Sequence, residues 1–169
     1  MKPELKYGLL SGLGVCLWIL AEYFLGLRAA PSGIGQYAGF VSNLIPLLAV
    51  WLLLKKKQAE LGPFFSVWRG VLAGLSMSLA ASLVIYCFQV YYNHSLNPGW
   101  QEQALGVKVA QLRSLHVAET DIREQIVHFR RENDALPMLL SVVLSSTLLG
   151  GLPACLISPW LIWRAGKAR

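Results

Sequence analysis

The chain has 169 residues, of which 14% are charged and 55% are hydrophobic, and its mean hydropathy is +0.50. A soluble domain carries about 25% charged residues, so these values exclude a disordered chain and argue against an ordinary soluble domain. The net charge of +6 comes from 15 Lys and Arg against 9 Asp and Glu; in so apolar a chain this excess points to membrane orientation and away from nucleic acid.

A bilayer crossing takes about 20 predominantly apolar residues in a helix. The first such run is Tyr7–Leu27, with one charge, Glu22. Lys2 and Lys6 precede it as they would a signal peptide. The run is longer than a signal core and no A-x-A site follows it, so an uncleaved helix is expected. The second run, Gln36–Leu54, is uncharged and is stopped by Lys55-Lys56-Lys57. The third, Phe64–Tyr91, holds one charge, Arg69.

The next segment, Tyr92–Ala135, is too long for a plain loop. Asn97-Pro98-Gly99 signals a turn. Trp100, Ala104, Val107, Gln111 and Leu115 then follow helical spacing, with Leu105 and Leu112 alongside. A second helix is expected from Thr120 as N-cap, with Asp121 in its first turn and Ile122, Ile126 and Phe129 as its apolar face. The spacing Glu119/Arg123 and Glu124/His128 allows ion pairs four residues apart. The result is an amphipathic helical hairpin over about residues 97–135. Pro137 opens the last run, Leu136–Trp163, which is uncharged and ends at Arg164.

The runs lack the alternation of barrel strands, and helices satisfy their own amides in lipid. The expected fold is therefore an all-α membrane protein, one domain over residues 1–169, with four transmembrane helices and an extracytoplasmic hairpin between the third and fourth. With both termini inside, the inner segments hold Lys2, Lys6, Lys55, Lys56, Lys57, Arg69, Arg164, Lys167 and Arg169. The short outer loop Arg28–Gly35 holds only Arg28, and the hairpin segment is nearly balanced in charge. The positive-inside rule thus places both termini in the cytoplasm. Trp51, Trp68, Trp160 and Trp163 fall at the inner level and Tyr23, Tyr37, Tyr91 and Tyr92 near the outer one, as interfacial aromatics do.

Small residues recur at four-residue steps: Ser66, Gly70, Gly74, Ser78 and Ser82 in the third span, and Ser146, Gly150, Ala154 and Ser158 in the fourth. Gly8 and Gly12 form a G-x-x-x-G in the first. Such faces let membrane helices approach closely, within one chain or between copies. Pro46 and Pro153 are expected to kink the second and fourth spans.

Embedded charges are functional suspects. Glu22 is near enough to the outer end to snorkel or to pair with Arg28, and is otherwise a proton or cation site. Arg69 reads as an inner-surface anchor, and Asn43 and Gln89 as polar glue between helices. Cys16, Cys87 and Cys155 have no C-x-x-C spacing and read as small core residues. His94, His116 and His128 match no metal-site spacing. No phosphate loop, nucleophile elbow or zinc-helix motif is present, so neither a cofactor nor an enzymatic reaction is expected.

In their order along the chain these features resemble DUF4199, a family of small bacterial membrane proteins of unknown function. The resemblance is carried by Lys6-Tyr7-Gly8-Leu9, the lysine cluster, Pro63-Phe64-Phe65-Ser66-Val67-Trp68-Arg69-Gly70, Ile85-Tyr86, Asn97-Pro98, the charged helical segment and the basic tail. Leu115-His116 stands where a glycine turn is expected. The resemblance implies a bacterial multi-pass protein and assigns no catalytic residue.

The residues favour a non-enzymatic accessory or scaffolding subunit of the bacterial cytoplasmic membrane. Its partners would be the bilayer and a membrane protein or a second copy. The alternative is a small transporter or lipid-handling protein using Glu22 and the Pro/Gly-broken helices.

Overall fold

The computed structural model describes the backbone of residues 1–27 and 34–167, and side chains at 1–27 and 40–165. Every regular element among the described residues is helical: α1 (Pro3–Phe24), α2 (Ile34–Leu61), α3 (Val67–Tyr91), α4 (Trp100–Ser114), α5 (Glu119–Glu132) and α6 (Ala135–Lys167). A 3-10 turn, Gly62–Phe64, separates α2 from α3, and a π-helical turn, Tyr92–Leu96, prolongs α3. Among the described residues three stretches are long and apolar enough to cross a membrane: Pro3–Phe24, Val67–Leu96 and Ala135–Ala165, of 22, 30 and 31 residues. The remaining expected span, Gln36–Leu54, lies within α2. Arg28 and most of the expected loop after the first span lie outside the described residues, as does Arg169.

Local chemistry sets the helix ends. Pro3 begins α1, where a missing N–H costs no helical bond. At its other end Gly26 takes φ +64°, so its N–H reaches the Tyr23 carbonyl at 3.2 Å while the Leu27 N–H reaches that of Glu22 at 3.1 Å. This is a Schellman cap, and glycine is the residue that enters it without strain. Pro46 in α2, and Pro153 and Pro159 in α6, lie inside helices that continue through them. The π turn closes with the Asn97 N–H on the Tyr92 carbonyl at 2.9 Å.

The chain divides into two compact units, one of Met1–Ile85 with Val143–Arg169 and one of Tyr86–Val142. The core of the first unit joins Ala49, Val50, Leu53 and Leu54 of α2 to Phe65, to Ala73 and Met77 of α3, and to Ala154 and Leu161 of α6. Tyr7 of α1 packs on this cluster. Elsewhere α1 meets α3 through glycine: a methyl placed on Gly12 would stand 2.8 Å from the Val84 Cβ. α6 carries two opposed faces in this unit. Gly150, Ala154 and Ser158 are buried, whereas Leu144, Leu148, Leu152 and Leu156 are exposed. An offset of two residues turns the helix by about 200°, so the large residues point away from the small ones.

In the second unit α4 and α5 pack together, with Leu105 and Ile122 buried and the rings of Trp100 and Phe129 6.3 Å apart. Ile122 stands on the face of α5 expected for it. On α4 the buried face differs from the expected one: Val107 and Leu115 are exposed and Leu105 is buried. Leu105 and Val107, two residues apart, lie about 200° apart around the helix, so burying the first exposes the second. The start of α5 also differs. Its N-cap is Ala118, Glu119 is already helical, and the Thr120 hydroxyl bonds Asp121 Oδ1 at 3.2 Å. Glu119 and Asp121 both sit in the first turn, where the helix dipole favours acids.

Candidate functional site

The four polar residues singled out from the sequence occupy different environments. Glu22 on α1 is 3% exposed, so its side chain does not snorkel to the surface. Asn43 on α2 is exposed and Gln89 on α3 is half-buried. Arg69 is exposed at the start of α3 and donates from Nη1 to the Phe64 carbonyl at 3.1 Å, which ties down the 3-10 turn. The expected pairing of Glu22 with Arg28 involves a residue outside the described set.

The small residues of α3 and α6 meet within the chain. A methyl on Gly74 would lie 2.8 Å from the Gly150 carbonyl oxygen and 2.9 Å from the Ala154 Cβ. Gly70 lies against Ser158, and Gly150 against Ser78. Ser82 is also buried, its hydroxyl donating to the Leu79 carbonyl at 2.9 Å, whereas Ser66 is exposed and Ser146 half-buried. Gly8 packs on Met77 and Ala80. These faces are thus filled by neighbouring helices of the same chain. Cys16 is buried, but Cys87 and Cys155 are exposed and are not core residues. Both sit on apolar helix faces, where a thiol is as compatible with lipid as with a core. Among the described residues no group of three His, Cys, Asp or Glu comes together.

In the first unit a polar region lies where α2 ends. The three consecutive lysines diverge in direction because successive helical residues are about 100° apart. Lys57 pairs with Glu4 of α1, and Lys56 Nζ lies 3.9 Å from Glu60 Oε1. Lys55 instead places its ammonium 5.3 Å from the centre of the Trp51 ring. On α6 the Arg164 guanidinium sits over Trp160 at 5.4 Å. Gln58 Nε2 donates to the Leu161 carbonyl at 2.8 Å, so α2 and α6 are clasped here.

Between these elements lies a cavity of about 600 Å³, lined by Lys55, Gln58 and Ala59 of α2, by Pro63 and Phe65, and by Ile162. The lysine cluster and the segment holding Pro63 and Phe65 are visible in the sequence, but not the cavity they border. The wall residue Ile162 comes from α6, more than 90 residues later, and no local pattern reveals that meeting. The one local signal is Gly62-Pro63, where Gly62 takes φ +51° and turns the chain after α2.

In the second unit Arg113 and Glu119 make a two-armed pair across the α4–α5 turn, Nε to Oε1 at 2.9 Å and Nη2 to Oε2 at 3.4 Å. Hydrogen bonding by Arg113 holds the Glu119 carboxyl below its ordinary range. Arg130 reaches Glu102 at 3.2 Å, and His128 reaches Glu132 at 3.3 Å. Arg113 thus takes the hydrogen bonds of Glu119, to which the expected partner Arg123 contributes its charge, and His128 pairs with Glu132 where Glu124 was expected.

A family profile described as "Protein of unknown function (DUF4199)" matches residues 6–159, most of the chain. No curated protein and no solved structure matches.

Proposed function

Because this chain belongs to the DUF4199 family, whose function is unknown, we propose a role from its own surfaces. It is a four-span protein of the bacterial cytoplasmic membrane, with both termini cytoplasmic and α4–α5 as an extracytoplasmic helical hairpin. It acts as a non-enzymatic accessory or scaffolding subunit that binds a membrane protein. The observation that carries the membrane part is the ladder of Leu144, Leu148, Leu152 and Leu156, all exposed on the back of a helix whose small face is buried. Water would penalise each such side chain by about 1.5–3 kcal/mol relative to burial, and lipid removes that penalty.

The scaffolding part rests on how the polar groups are used. Lys57–Glu4, Arg113–Glu119 and Arg130–Glu102 join one helix to another, and Lys56–Glu60 and His128–Glu132 lie within single helices. The small faces of α3 and α6 are occupied within the chain, so a partner would meet the apolar helix backs or the α4–α5 pair.

Two experiments test this. Single cysteines at Lys56 and Gln111, in a chain without native cysteines, are labelled in intact cells with an impermeant reagent. Position 111 should react and position 56 should not; the reverse pattern overturns the orientation. Purification in mild detergent followed by mass spectrometry should recover one membrane protein in stoichiometric amount. Recovery of the chain alone, with turnover of a small substrate, would refute the scaffold.

A second reading, transport or lipid handling, is favoured by the burial of Glu22 in an apolar helix. Under that reading Glu22→Gln abolishes ion or solute flux in vesicles at unchanged protein level. Under the scaffold reading flux is absent from both proteins.

A further inference from the structure

We propose that the cavity at the end of α2 binds the phosphate headgroup of an anionic phospholipid, with Lys55 as its charged contact. The proposal rests on the membrane reading above.

Three observations converge on it. First, the three lysines are not equivalent. Lys56 and Lys57 are engaged by Glu60 and Glu4, whereas Lys55 contributes to the cavity wall and has a ring, not a carboxylate, beside it. A cation over an indole keeps its full charge and still offers N–H donors to an anion. Second, the rest of the wall is mostly carbon: Ala59, Pro63, Phe65 and Ile162 stand with Lys55 and Gln58. A free inorganic anion needs several donors around it. One cation beside an apolar wall suits an amphiphile, whose phosphate meets the ammonium and whose glycerol and upper acyl carbons lie on the wall. Third, the same unit exposes Trp51, Trp68 and Trp160 on α2, α3 and α6, each within four residues along the chain of a wall residue, Lys55, Phe65 and Ile162. Tryptophans at helix ends mark the headgroup level of a bilayer. Basic pockets between membrane helices are recurrent headgroup sites.

The clasp between Gln58 and the Leu161 carbonyl gives the site its shape. It fixes α2 against α6 on one side of the cavity, so the pocket is a property of the folded chain and not of a flexible basic tail.

The test uses the full-length protein in mixed micelles containing either phosphatidylglycerol or phosphatidylcholine at equal mole fraction, with retained lipid counted by native mass spectrometry. The wild-type chain should retain phosphatidylglycerol about fivefold over phosphatidylcholine, the worth of roughly one basic residue at a lipid surface. Lys55→Gln should lose that preference and Lys55→Arg should keep it. Ala59→Trp, which projects an indole into the cavity without touching charge, should also lose it. Lys56→Gln, which removes an equal charge already paired with Glu60, should behave as wild type.

Equal losses in Lys55→Gln and Lys56→Gln would mean diffuse surface attraction and overturn the site. Displacement of the lipid by millimolar inorganic phosphate would overturn the lipid as its occupant. Carbonate extraction of cell membranes separates the two levels of inference. Release of the wild-type chain overturns the membrane reading and this site together. Retention of all variants, with phosphatidylglycerol bound equally by wild type and Lys55→Gln, overturns the site alone.

Discussion

Gly74 and Gly150 face each other reciprocally: a methyl on either would stand 2.8 Å from the carbonyl oxygen of the other. Both obstacles are backbone, which cannot swing aside. α3 and α6 therefore approach at a distance that only glycine permits at these two positions. In lipid, where no hydrophobic effect drives helices together, close backbone approach is the main source of packing energy.

Gly74→Ala should accordingly destabilise the fold by about 1–3 kcal/mol, the usual cost of overpacking a filled interior. Reversible unfolding in mixed micelles measures it. An unchanged midpoint would mean that α3 and α6 are not held at this spacing.

Gly106 is the opposite case. It lies in α4, and a methyl there would meet nothing within 4 Å. Gly106→Ala should stabilise the protein by about 0.4–1 kcal/mol, because alanine loses less backbone entropy on becoming helical. Comparing both alanine variants in one assay separates the packing effect from the intrinsic helix preference, since the two have opposite signs.

His116 adopts φ +58° at the turn after α4. Its N–H reaches the Arg113 carbonyl at 3.0 Å, and the Val117 N–H reaches that of Leu112 at 3.2 Å, a Schellman cap without glycine. A left-handed conformation costs an L-residue roughly 1–2 kcal/mol. His116→Gly should raise stability by up to about that amount and His116→Val should lower it, read from thermal melts of helical circular dichroism.

The pair Arg113–Glu119 predicts a pH effect. The hydrogen bond from Arg113 lowers the Glu119 value beneath its ordinary 4.5. The contribution of this pair to the folded state is therefore complete above the unfolded value and is lost as pH falls through the folded one. Carbon-detected titration of the Glu119 carboxyl should give a midpoint below 4.5 in the wild type, moving up in Arg113→Gln. Both groups are exposed, so added salt should shrink the difference.

Much of the architecture was legible in the sequence. The long apolar runs appear as helices because only internal hydrogen bonding satisfies a backbone in so apolar a context. The four-residue recurrence of Gly70, Gly74 and Ser78 could be seen as a small face, since helical periodicity is a local property. Burial of Ile122 on α5 followed from the same periodicity. The face of α4 did not: Val107 and Leu115 share one side as well as Leu105 and Leu112 share another, and only tertiary packing chooses between them. The candidate site was less legible still. Lys55, Lys56 and Lys57 are one cluster in the sequence, but Glu4, Glu60 and Trp51 give them three different environments.

By itself, then, the sequence determined the helices, their apolar length, the small-residue faces and the charge asymmetry of the segments between them. These depend on composition and on a period of a few residues. The tertiary structure decided which small faces fill each other, that Glu22 is buried, and that Lys55 and Ile162 line one cavity. Those depend on contacts between residues far apart in the chain. Local periodicity gives each helix its faces but carries no information about which neighbour, or which empty space, each face will meet.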